Sequence, residues 1–591
     1  MNSSRRDERL PKGPRFASES LDADTASGSV LFKLPHYLLF WRIACCTVLA
    51  ASMLGQEPPQ PAPAAVTPSE ISGVLVDAVT GQPIRHARIA IAPVTQRDAY
   101  TTILTDEGGG FLFSNLAPGK YTLTAQQRGY FTQSFNQHEQ FSSAIVVGPD
   151  PDSTHLLFRL QPECLVRGRI SDEAGEPVRN ARVFLYQAEH SGGEQDIRLG
   201  QRGTTDEEGV YQFAHLHPGR YFVAVMATVW YAQRPAPQQD FSTSFSPGYP
   251  GRAPSTYPEE EAASPLDVAY PITFYPGTTE TSAASPVVVK AGDRFTADVV
   301  LQPVPALHLR VPAGPGDEGV GSRTNAAMLQ SRLFDAEAIP FPVERHILSS
   351  GEVDIVGLPP GHYQVQNLEN GRPASSGEMT ALTSGDLHVE RQAAFVGITA
   401  TVQLDPGTAL PLQGALQLRN PRSQEIVSEQ VSGAGEIEFR QSIEPGRYEL
   451  SLSNNDSEYI KTVSAAGAAV NGRTLEVKGG SPLKLSVAVA RGQAQIQGVA
   501  LRDGKPFIGA MILLVPADPA HNQVLFRRNQ SDSDGSFTLG SIVPGKYTLL
   551  AIENGWDLEW LNPAALKPYV SGGEALQIEQ YGKYEVKVKV Q

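Results

Sequence analysis

Histidines and carboxylates are the residues of this chain that could form a catalytic metal centre. Catalytic zinc needs three protein ligands, two of them usually close in sequence. None of the twelve histidines starts a His-Glu-x-x-His motif, because Ser142 stands where a second histidine would follow His138 and Glu139. His215 and His217 lie two residues apart with no third ligand nearby. We therefore expect no catalytic residue, no metal ligand and no cofactor.

Other motifs of enzyme chemistry are absent or incomplete. The serine hydrolase pattern Gly-x-Ser-x-Gly does not occur. The glycines at 314, 316 and 319 match a dinucleotide-binding pattern in letters only, since no helix follows them. The segment 532–535 resembles half of a calcium loop, but Ser541 stands where a bidentate glutamate belongs. It is a hairpin turn or a weak cation site, and the sequence predicts a protein that is not an enzyme.

Aromatic side chains are the best candidates for ligand binding. They concentrate in a proline-rich insertion at 228–280 and occur again after residue 552. Proline lowers the entropy that a loop loses on binding, and aromatic faces suit sugar rings or peptide side chains. The alternative, which the sequence leaves open, is that these aromatics pack against their own domain. The candidate ligand-binding residues are Trp230, Tyr231, Tyr249, Tyr257, Trp556 and Trp560.

One turn motif, Pro-Gly-x-Tyr, recurs five times along the chain. Successive tyrosines are 100, 142, 85 and 99 residues apart, which is a domain-sized spacing. Proline sets the φ of the turn, and we expect the glycine to supply a backbone geometry closed to other residues. We expect each tyrosine to pack inward and to hydrogen-bond nearby backbone. The repeated residues are Gly119 and Tyr121, Gly219 and Tyr221, Gly361 and Tyr363, Gly446 and Tyr448, and Gly545 and Tyr547.

Two further elements precede this corner. A glycine-containing turn, acidic in most copies, leads into a strand at 105–111, 206–211, 350–355, 433–439 and 532–537, which is a hairpin signal. A Gly-x-Pro segment with a downstream alanine opens three copies, at 81–89, 175–183 and 504–512. Short strands at this spacing, with no apolar helical stripe, predict an all-β chain of Ig-like or prealbumin-like sandwiches with about seven strands each.

The repeats divide the chain into a series of domains. Five sandwiches with almost no linkers predict a semi-rigid rod of about 170 Å. The third and fourth copies are the divergent ones. The predicted units are an N-terminal extension with a signal peptide or signal anchor at 1–55, a Pro-rich linker at 56–69, and sandwiches at 70–162, 163–304, 305–395, 396–492 and 493–591.

The N-terminal region favours export. An apolar stretch at 37–54, interrupted by Arg42, is typical of a secretory signal or a retained membrane anchor. The polar segment 1–29 makes this signal unusually late, unless translation starts near Val30. After cleavage only Cys164 would remain, so hydrophobic cores and not disulfides must hold the domains.

Composition excludes several classes of protein. The chain of 591 residues carries 48 basic and 63 acidic side chains, a net charge of −15, with no basic block. It is therefore a poor nucleic-acid binder. Glycine and proline together make 100 of the residues, too few for a low-complexity chain. We expect a monomer of folded domains.

The three repeated elements together resemble the carboxypeptidase regulatory-like domain. The resemblance is strongest at 71–131, 164–226 and 496–552, and weaker in the third and fourth copies. It implies a transthyretin-like (prealbumin-like) sandwich of the carbohydrate-binding-like fold. It also implies a binding or spacer module, without implying peptidase activity.

These observations lead to one functional expectation with two alternatives. We expect an exported, non-enzymatic binding and spacer protein of the cell envelope that binds carbohydrate or another surface polymer. It would lie in the periplasm, at the cell surface or outside the cell, or be anchored in the inner membrane through 37–54. The first alternative is a protein-interaction scaffold or adhesin that uses sandwich edges. The second is an accessory domain array of a peptidase system.

Overall fold

The computed structural model describes the chain from residue 69 onwards, with internal gaps. The described residues are 69–148, 153–191, 194–233, 264–311, 325–334, 336, 338–347, 353–369, 372–389, 391–406, 414–431, 433–454 and 458–591. Within them the chain is nearly all β, with one α-helix, α1 (Pro563–Val570). That helix is too short to span a membrane, and no other described helix is long and apolar enough to do so. The predicted signal or anchor at 37–54 lies outside the described residues.

Pairs of sheets follow one another along the chain, and each pair contains one Pro-Gly corner. The strands of the first sandwich are β1 (Ser69–Asp77), β2 (Arg88–Pro93), β3 (Thr101–Leu104), β4 (Gly110–Leu116), β5 (Gly119–Gln126), β6 (Gln133–Ser134), β7 (Ile145–Val147) and β8 (Leu156–Leu160). Those of the second are β9 (Cys164–Ser171), β10 (Arg182–Ser191), β11 (Glu194–Thr204), β12 (Val210–Leu216), β13 (Gly219–Met226), β14 (Val268–Ala269), β15 (Thr273–Phe274), β16 (Val287–Val289), β17 (Arg294–Thr296), β18 (Val299–Val300) and β19 (Val304–Pro305).

The third, fourth and fifth sandwiches repeat the arrangement. The third contains β20 (Leu307–Val311), β21 (Asn325–Arg332), β22 (Ala338–Pro340), β23 (Glu344–Ile347), β24 (Val353–Leu358), β25 (Gly361–Glu369), β26 (Arg372–Ala381), β27 (Gly385–Asp386) and β28 (Arg391–Ala394). The fourth contains β29 (Ile398–Leu404), β30 (Gly414–Arg419), β31 (Ile426–Val431), β32 (Gly435–Glu438), β33 (Gly446–Asn454), β34 (Glu458–Ala466), β35 (Ala468–Asn471), β36 (Thr474–Val477) and β37 (Leu483–Arg491). The fifth contains β38 (Ala494–Arg502), β39 (Lys505–Pro506), β40 (Met511–Pro516), β41 (Arg527–Gln530), β42 (Ser536–Ile542), β43 (Gly545–Ile552), β44 (Glu574–Ile578) and β45 (Lys583–Lys589).

All five sandwiches share one topology, which confirms the predicted all-β fold class. In each, the first strand pairs antiparallel with the strand before the corner and parallel with a late strand, as β1 does with β4 and β8 and β38 does with β42 and β45. In the second sheet, the corner strand pairs antiparallel with a strand that comes early in the sandwich, as β5 does with β2 and β43 does with β40. Each sandwich has eight or more strands, counting short edge pieces, where the sequence predicts about seven.

A buried hydroxyl joins the two opening elements of the repeat. In the first sandwich, Thr105 donates from Oγ1 to the carbonyl of Ile84 at 2.7 Å and accepts from the backbone N–H of Ala87 at 2.9 Å. Thr205 and Ser531 make the equivalent pair of bonds in the second and fifth sandwiches. The hydroxyl satisfies one buried acceptor and one buried donor, so it ties the Gly-x-Pro segment to the acidic turn.

The acidic turn itself requires glycine. Gly109, Gly209 and Gly535 have φ of 75°, 72° and 74°, in the left-handed region. A Cβ at each would also lie 2.5–2.7 Å from a backbone oxygen of the first strand of its own sandwich. Left-handed geometry and close approach therefore both exclude a side chain.

The five Pro-Gly corners are held by the same tyrosine bond. Each tyrosine ring is buried, and its hydroxyl donates to the carbonyl of the residue four positions earlier, at 2.6–3.0 Å. The expected special geometry of the glycine holds at two corners and not at the other three. Gly119 and Gly446 have positive φ of 158° and 156°, which L side chains rarely adopt, whereas Gly219, Gly361 and Gly545 have no positive φ. At four of the corners a Cβ would lie 3.4–4.0 Å from the tyrosine side chain, which is an ordinary van der Waals contact.

Hydrophobic cores lie between the paired sheets, and two sheets are also buried on their outer faces. In the second sandwich, Phe184, Tyr186 and Phe222 face outward and pack in one cluster with side chains of the third. In the fifth, the outward side chains of β40 and β43 pack against α1 and the segment before it. The strands of these two sheets are apolar on both faces for this reason.

Candidate functional site

The most exposed tryptophan of the described chain lies on the second sandwich, just after β13. The side chain of Trp230 is 83% exposed. Its ring lies edge-to-face against Tyr231, with centroids 5.6 Å apart and planes at 89°. These two residues, called here the aromatic platform, present an apolar surface at the start of the predicted insertion.

A carboxylate of the neighbouring turn fixes the platform. The hydroxyls of Tyr231 and Tyr270 both donate to Glu173, the latter at 3.2 Å. Burial opposes ionisation of Glu173, but hydrogen bonds, chiefly from Tyr231, outweigh it and lower the pKa of this carboxyl. The same hydrogen bond raises the pKa of Tyr231 to about 12. Glu173 therefore remains an anionic acceptor beside the platform at neutral pH. Sequence reasoning missed Glu173, because nothing local links it to a tyrosine 97 residues later.

The rest of the insertion includes residues that lie in the core of the sandwich and others that lie outside the described residues. Tyr270 and Phe274 are 2% and 1% exposed, and β15 pairs with β13, so this part belongs to the sandwich itself. Tyr249 and Tyr257 lie outside the described residues. Of the candidate ligand-binding residues in the insertion, the structure therefore describes Trp230 and Tyr231.

The two C-terminal tryptophans pack within the chain. The Trp556 ring stacks on His138 of the first sandwich, with centroids 4.8 Å apart and planes at 3°, and its Nε1–H donates to the carbonyl of Gly509. The Trp560 ring lies 4.5 Å beneath the Arg528 guanidinium, which also forms a bidentate ion pair with Glu139. Both indoles are half-buried in a contact between the first and fifth sandwiches. Their role as ligand surface stays a prediction.

The contact between the first and fifth sandwiches is otherwise polar. Lys120 Nζ lies 2.5 Å from Asp532 Oδ2, and the backbone N–H of Ala144 donates to Oδ1 of the same carboxylate at 2.9 Å. Ser143 donates from its hydroxyl to the carbonyl of Ser531 at 2.8 Å. Burial raises the pKa of Asp532, against the opposing effect of Lys120. The predicted rod, in which each sandwich meets only its neighbours, is therefore wrong.

The turn at 532–535 forms this contact and is used as a hairpin. In the first and second sandwiches the matching aspartates, Asp106 and Asp206, accept hydrogen bonds from their own turns. Asp532 instead accepts from the first sandwich, and its partner Asp534 accepts from Ser536. Over the described residues, no group of three or more His, Cys, Asp or Glu side chains is placed to hold a metal ion.

A histidine joins the second and third sandwiches. His308 Nε2 lies 2.6 Å from Asp267, and Nδ1 lies 3.5 Å from Asp354. The carboxylate of Asp354, with that of Asp267, raises the pKa of His308 to about 8, against the opposing effect of burial. The ring is therefore protonated at neutral pH and links two carboxylates electrostatically. The isolated thiol Cys164 is buried and donates to the carbonyl of Lys290, so it belongs to the core.

Comparison with protein families identifies two segments of the chain. Residues 70–160 and 166–238 match the model of the carboxypeptidase regulatory-like domain. These segments lie in the first and second sandwiches, and the match agrees with the resemblance seen in their repeated motifs. No curated protein matches the chain.

Solved structures similar to this chain include a Bacillus anthracis protein and two pilins. The Bacillus anthracis TIE protein is 12% identical, with 89% of this chain and 69% of that one covered and a TM-score of 0.14. A streptococcal ancillary pilin is 10% identical, with 48% and 99% covered and a TM-score of 0.16. The minor pilin GBS52 of Streptococcus agalactiae is 13% identical, with 42% and 99% covered and a TM-score of 0.19.

Proposed function

We propose that this chain is an exported, non-enzymatic protein of the cell envelope that binds carbohydrate through the aromatic platform on its second sandwich. The other sandwiches act as spacers and supports. The two segments that match the carboxypeptidase regulatory-like domain support a binding role, because the platform lies within the second of them. Mass analysis of the exported protein, showing cleavage after the 37–54 stretch or its retention, tests the export part of the proposal.

The exposure of Trp230 carries the carbohydrate assignment. A side chain of this size normally buries most of its apolar area, and isolated exposure at 83% leaves that area unused by the fold. A sugar ring offers a matching apolar face of C–H groups, with hydroxyls around its rim. Stacking on the indole would bury the unused area without a deep pocket.

Glu173 supports this assignment by ordering the platform in advance. Tyr231 is held through its hydroxyl, so its ring cannot rotate away from Trp230 without breaking that hydrogen bond. Side chains that are fixed before binding lose less entropy when the ligand arrives. The carboxylate also provides an acceptor for a sugar hydroxyl at the edge of the platform.

The test is retention of the full-length protein in affinity electrophoresis on a panel of neutral and acidic soluble polysaccharides. Trp230→Ala should abolish retention on the polysaccharide that binds, and Tyr231→Phe should weaken it severalfold by releasing the ring from Glu173. Tyr581→Ala is the matched control, because Tyr581 is 61% exposed on the fifth sandwich. Equal retention of the Trp230 and Tyr581 variants, or no retention of the parent, would refute the site.

A further inference from the structure

A groove lies between the fourth and fifth sandwiches, far along the chain from the aromatic platform. Its volume is about 800 Å³. One wall is formed by β34 and β35 of the fourth sandwich, and the other by residues next to the Pro-Gly corner of the fifth. The apolar side chains that line the groove include Val463, Ala465 and Ala468 on the first wall, and Leu525 and Val543 on the second.

The first wall contains the unpaired edges of two sheets. Among the described residues, β34 pairs only with β37, and β35 pairs only with β36. An edge strand presents backbone N–H and C=O groups that another strand can pair with. Natural edges are blunted by proline, bulges or lysine. Here the bulge and Lys461 lie at the start of β34, and residues 462–466 carry neither proline nor charge.

The groove is cationic in a chain that is acidic overall. The side chains that line it include Lys461 and Arg473 but no aspartate or glutamate. Lys461 is paired with Asp405, at 2.5 Å. Arg473 is 8% exposed, and its guanidinium donates to the carbonyl of Ile460 on β34. Burial lowers the pKa of Arg473 to about 10, so the group stays charged at neutral pH.

Arg473 therefore places a buried positive charge at the edge of β34, and no ion pair with a carboxylate of the described residues accompanies it. A buried charge is costly unless it is paired. Its backbone N–H donates to the carbonyl of His521 at 2.9 Å, and Gly472 lies directly against Asn522. These contacts join the fourth sandwich to the fifth at the base of the groove and fix the position of the guanidinium.

We infer that this groove binds an extended peptide segment that pairs with the edge of β34 and places a carboxylate side chain against Arg473. Backbone hydrogen bonds to the edge provide affinity for any extended chain, and the charge at the base selects an acidic one. The site is independent of the carbohydrate platform, since it lies on different sandwiches and uses different residues.

The test measures binding of a labelled, acetylated strand-length peptide of alternating valine and threonine with one central glutamate, by fluorescence anisotropy on the full chain. A peptide with glutamine in place of the glutamate is the ligand control. We expect at least about tenfold weaker binding of the glutamine form, because it loses the charge-assisted hydrogen bond to the Arg473 guanidinium. Equal binding of both peptides, or no binding of either, would overturn the inference.

Two variants on the same strand locate the peptide. Ala468 lines the groove, whereas the next residue, Ala469, is exposed and does not line it. Ala468→Asp should abolish binding by placing a like charge beside the peptide, and Ala469→Asp should leave it within about twofold. The two substitutions change the charge and the strand propensity by the same amount. A loss of peptide binding in both variants would therefore contradict the assignment. The peptide assignment would also be overturned if the peptide did not bind and an oligogalacturonate did, with its binding lost in Ala468→Asp. That result would show a site for an acidic glycan.

Discussion

The second and fifth sandwiches each contain a sheet that is apolar on both faces. The outer face of this sheet is covered in a different way in each sandwich. In the second, the outward rings of β10 and β13 are covered by the third sandwich, with Phe334 in contact with Tyr186, Phe222 and Phe274. In the fifth, the outward side chains of β40 and β43 are covered by α1, with Leu566 buried against them. The same sheet therefore serves as an interface between sandwiches in one copy and as a support for a local helix in the other.

This difference shows what a strand's pattern can and cannot indicate. The runs Val183–Tyr186 and Met511–Val515 contain no polar residue, which is the pattern of strands buried on both faces. The pattern predicts that a cover exists. It does not indicate whether the cover is the next domain or the following segment, because both provide apolar side chains of similar size.

Removing the ring at the centre of the second–third interface should have the largest effect. Phe334→Ala deletes a ring in contact with three aromatic neighbours, and we expect a loss of about 3–5 kcal/mol in unfolding free energy. Hydrogen exchange of β10 and β21 should then increase together, measured by mass spectrometry. Phe131→Ala, which removes a single stacking contact with His217, is the control and should lose less than half as much. Exchange that increases only in the third sandwich would contradict a shared interface.

Removing the anchor of the helical cover should have a smaller and more local effect. Leu566 is 1% exposed, and Leu566→Ala should destabilise the fifth sandwich by about 2–4 kcal/mol. Because the cover is local, hydrogen exchange should rise in α1 and β43 and stay unchanged in the second sandwich. Lys567→Ala changes the exposed side of the same helix and should have no measurable effect. A rise of exchange in the second sandwich would show that the two covers are coupled.

The smallest expected effect is a pH dependence of stability, which we expect for the contact between the second and third sandwiches and not for the helical cover of the fifth. The folded-state pKa of His308, about 8, lies above the ordinary value of 6.5. Protonated His308 therefore stabilises the second–third contact fully below pH 6.5, and this stabilisation of up to about 2 kcal/mol is lost as pH rises through about 8. Thermal unfolding followed between these pH values should shift for the parent and much less for His308→Gln. The exposed His362 of the third sandwich provides the control His362→Gln, which should keep the parent's dependence.

Local chemistry made the fold largely predictable from the sequence. Tyr121 and its four counterparts mark equivalent corners because a turn, a buried ring and a backbone acceptor four residues earlier form one local unit. The acidic turn with Gly109 is predictable for the same reason. The role of Thr105 was missed, although a hydroxyl before each such turn, at Thr105, Thr205 and Ser531, was a visible signal.

The candidate site was less predictable because it depends on contacts between distant residues. The sequence identifies Trp556 as an aromatic in a C-terminal extension, but His138, on which it stacks, lies more than four hundred positions earlier. Arg528 of the fifth sandwich likewise forms its ion pair with Glu139 of the first. No periodicity or turn signal encodes such a pair, so the sequence could not distinguish packing from ligand binding for these tryptophans.

The parallel pairing of β1 with β8, β29 with β37 and β38 with β45 has a mechanical consequence. Tension applied to the ends of such a sandwich pulls its first and last strands in opposite directions along their shared ladder. Every hydrogen bond of that ladder is then loaded at once and in shear. Two strands that are pulled apart from one end would instead lose their hydrogen bonds one at a time. A protein built this way would resist pulling forces at each such sandwich before any of them extends.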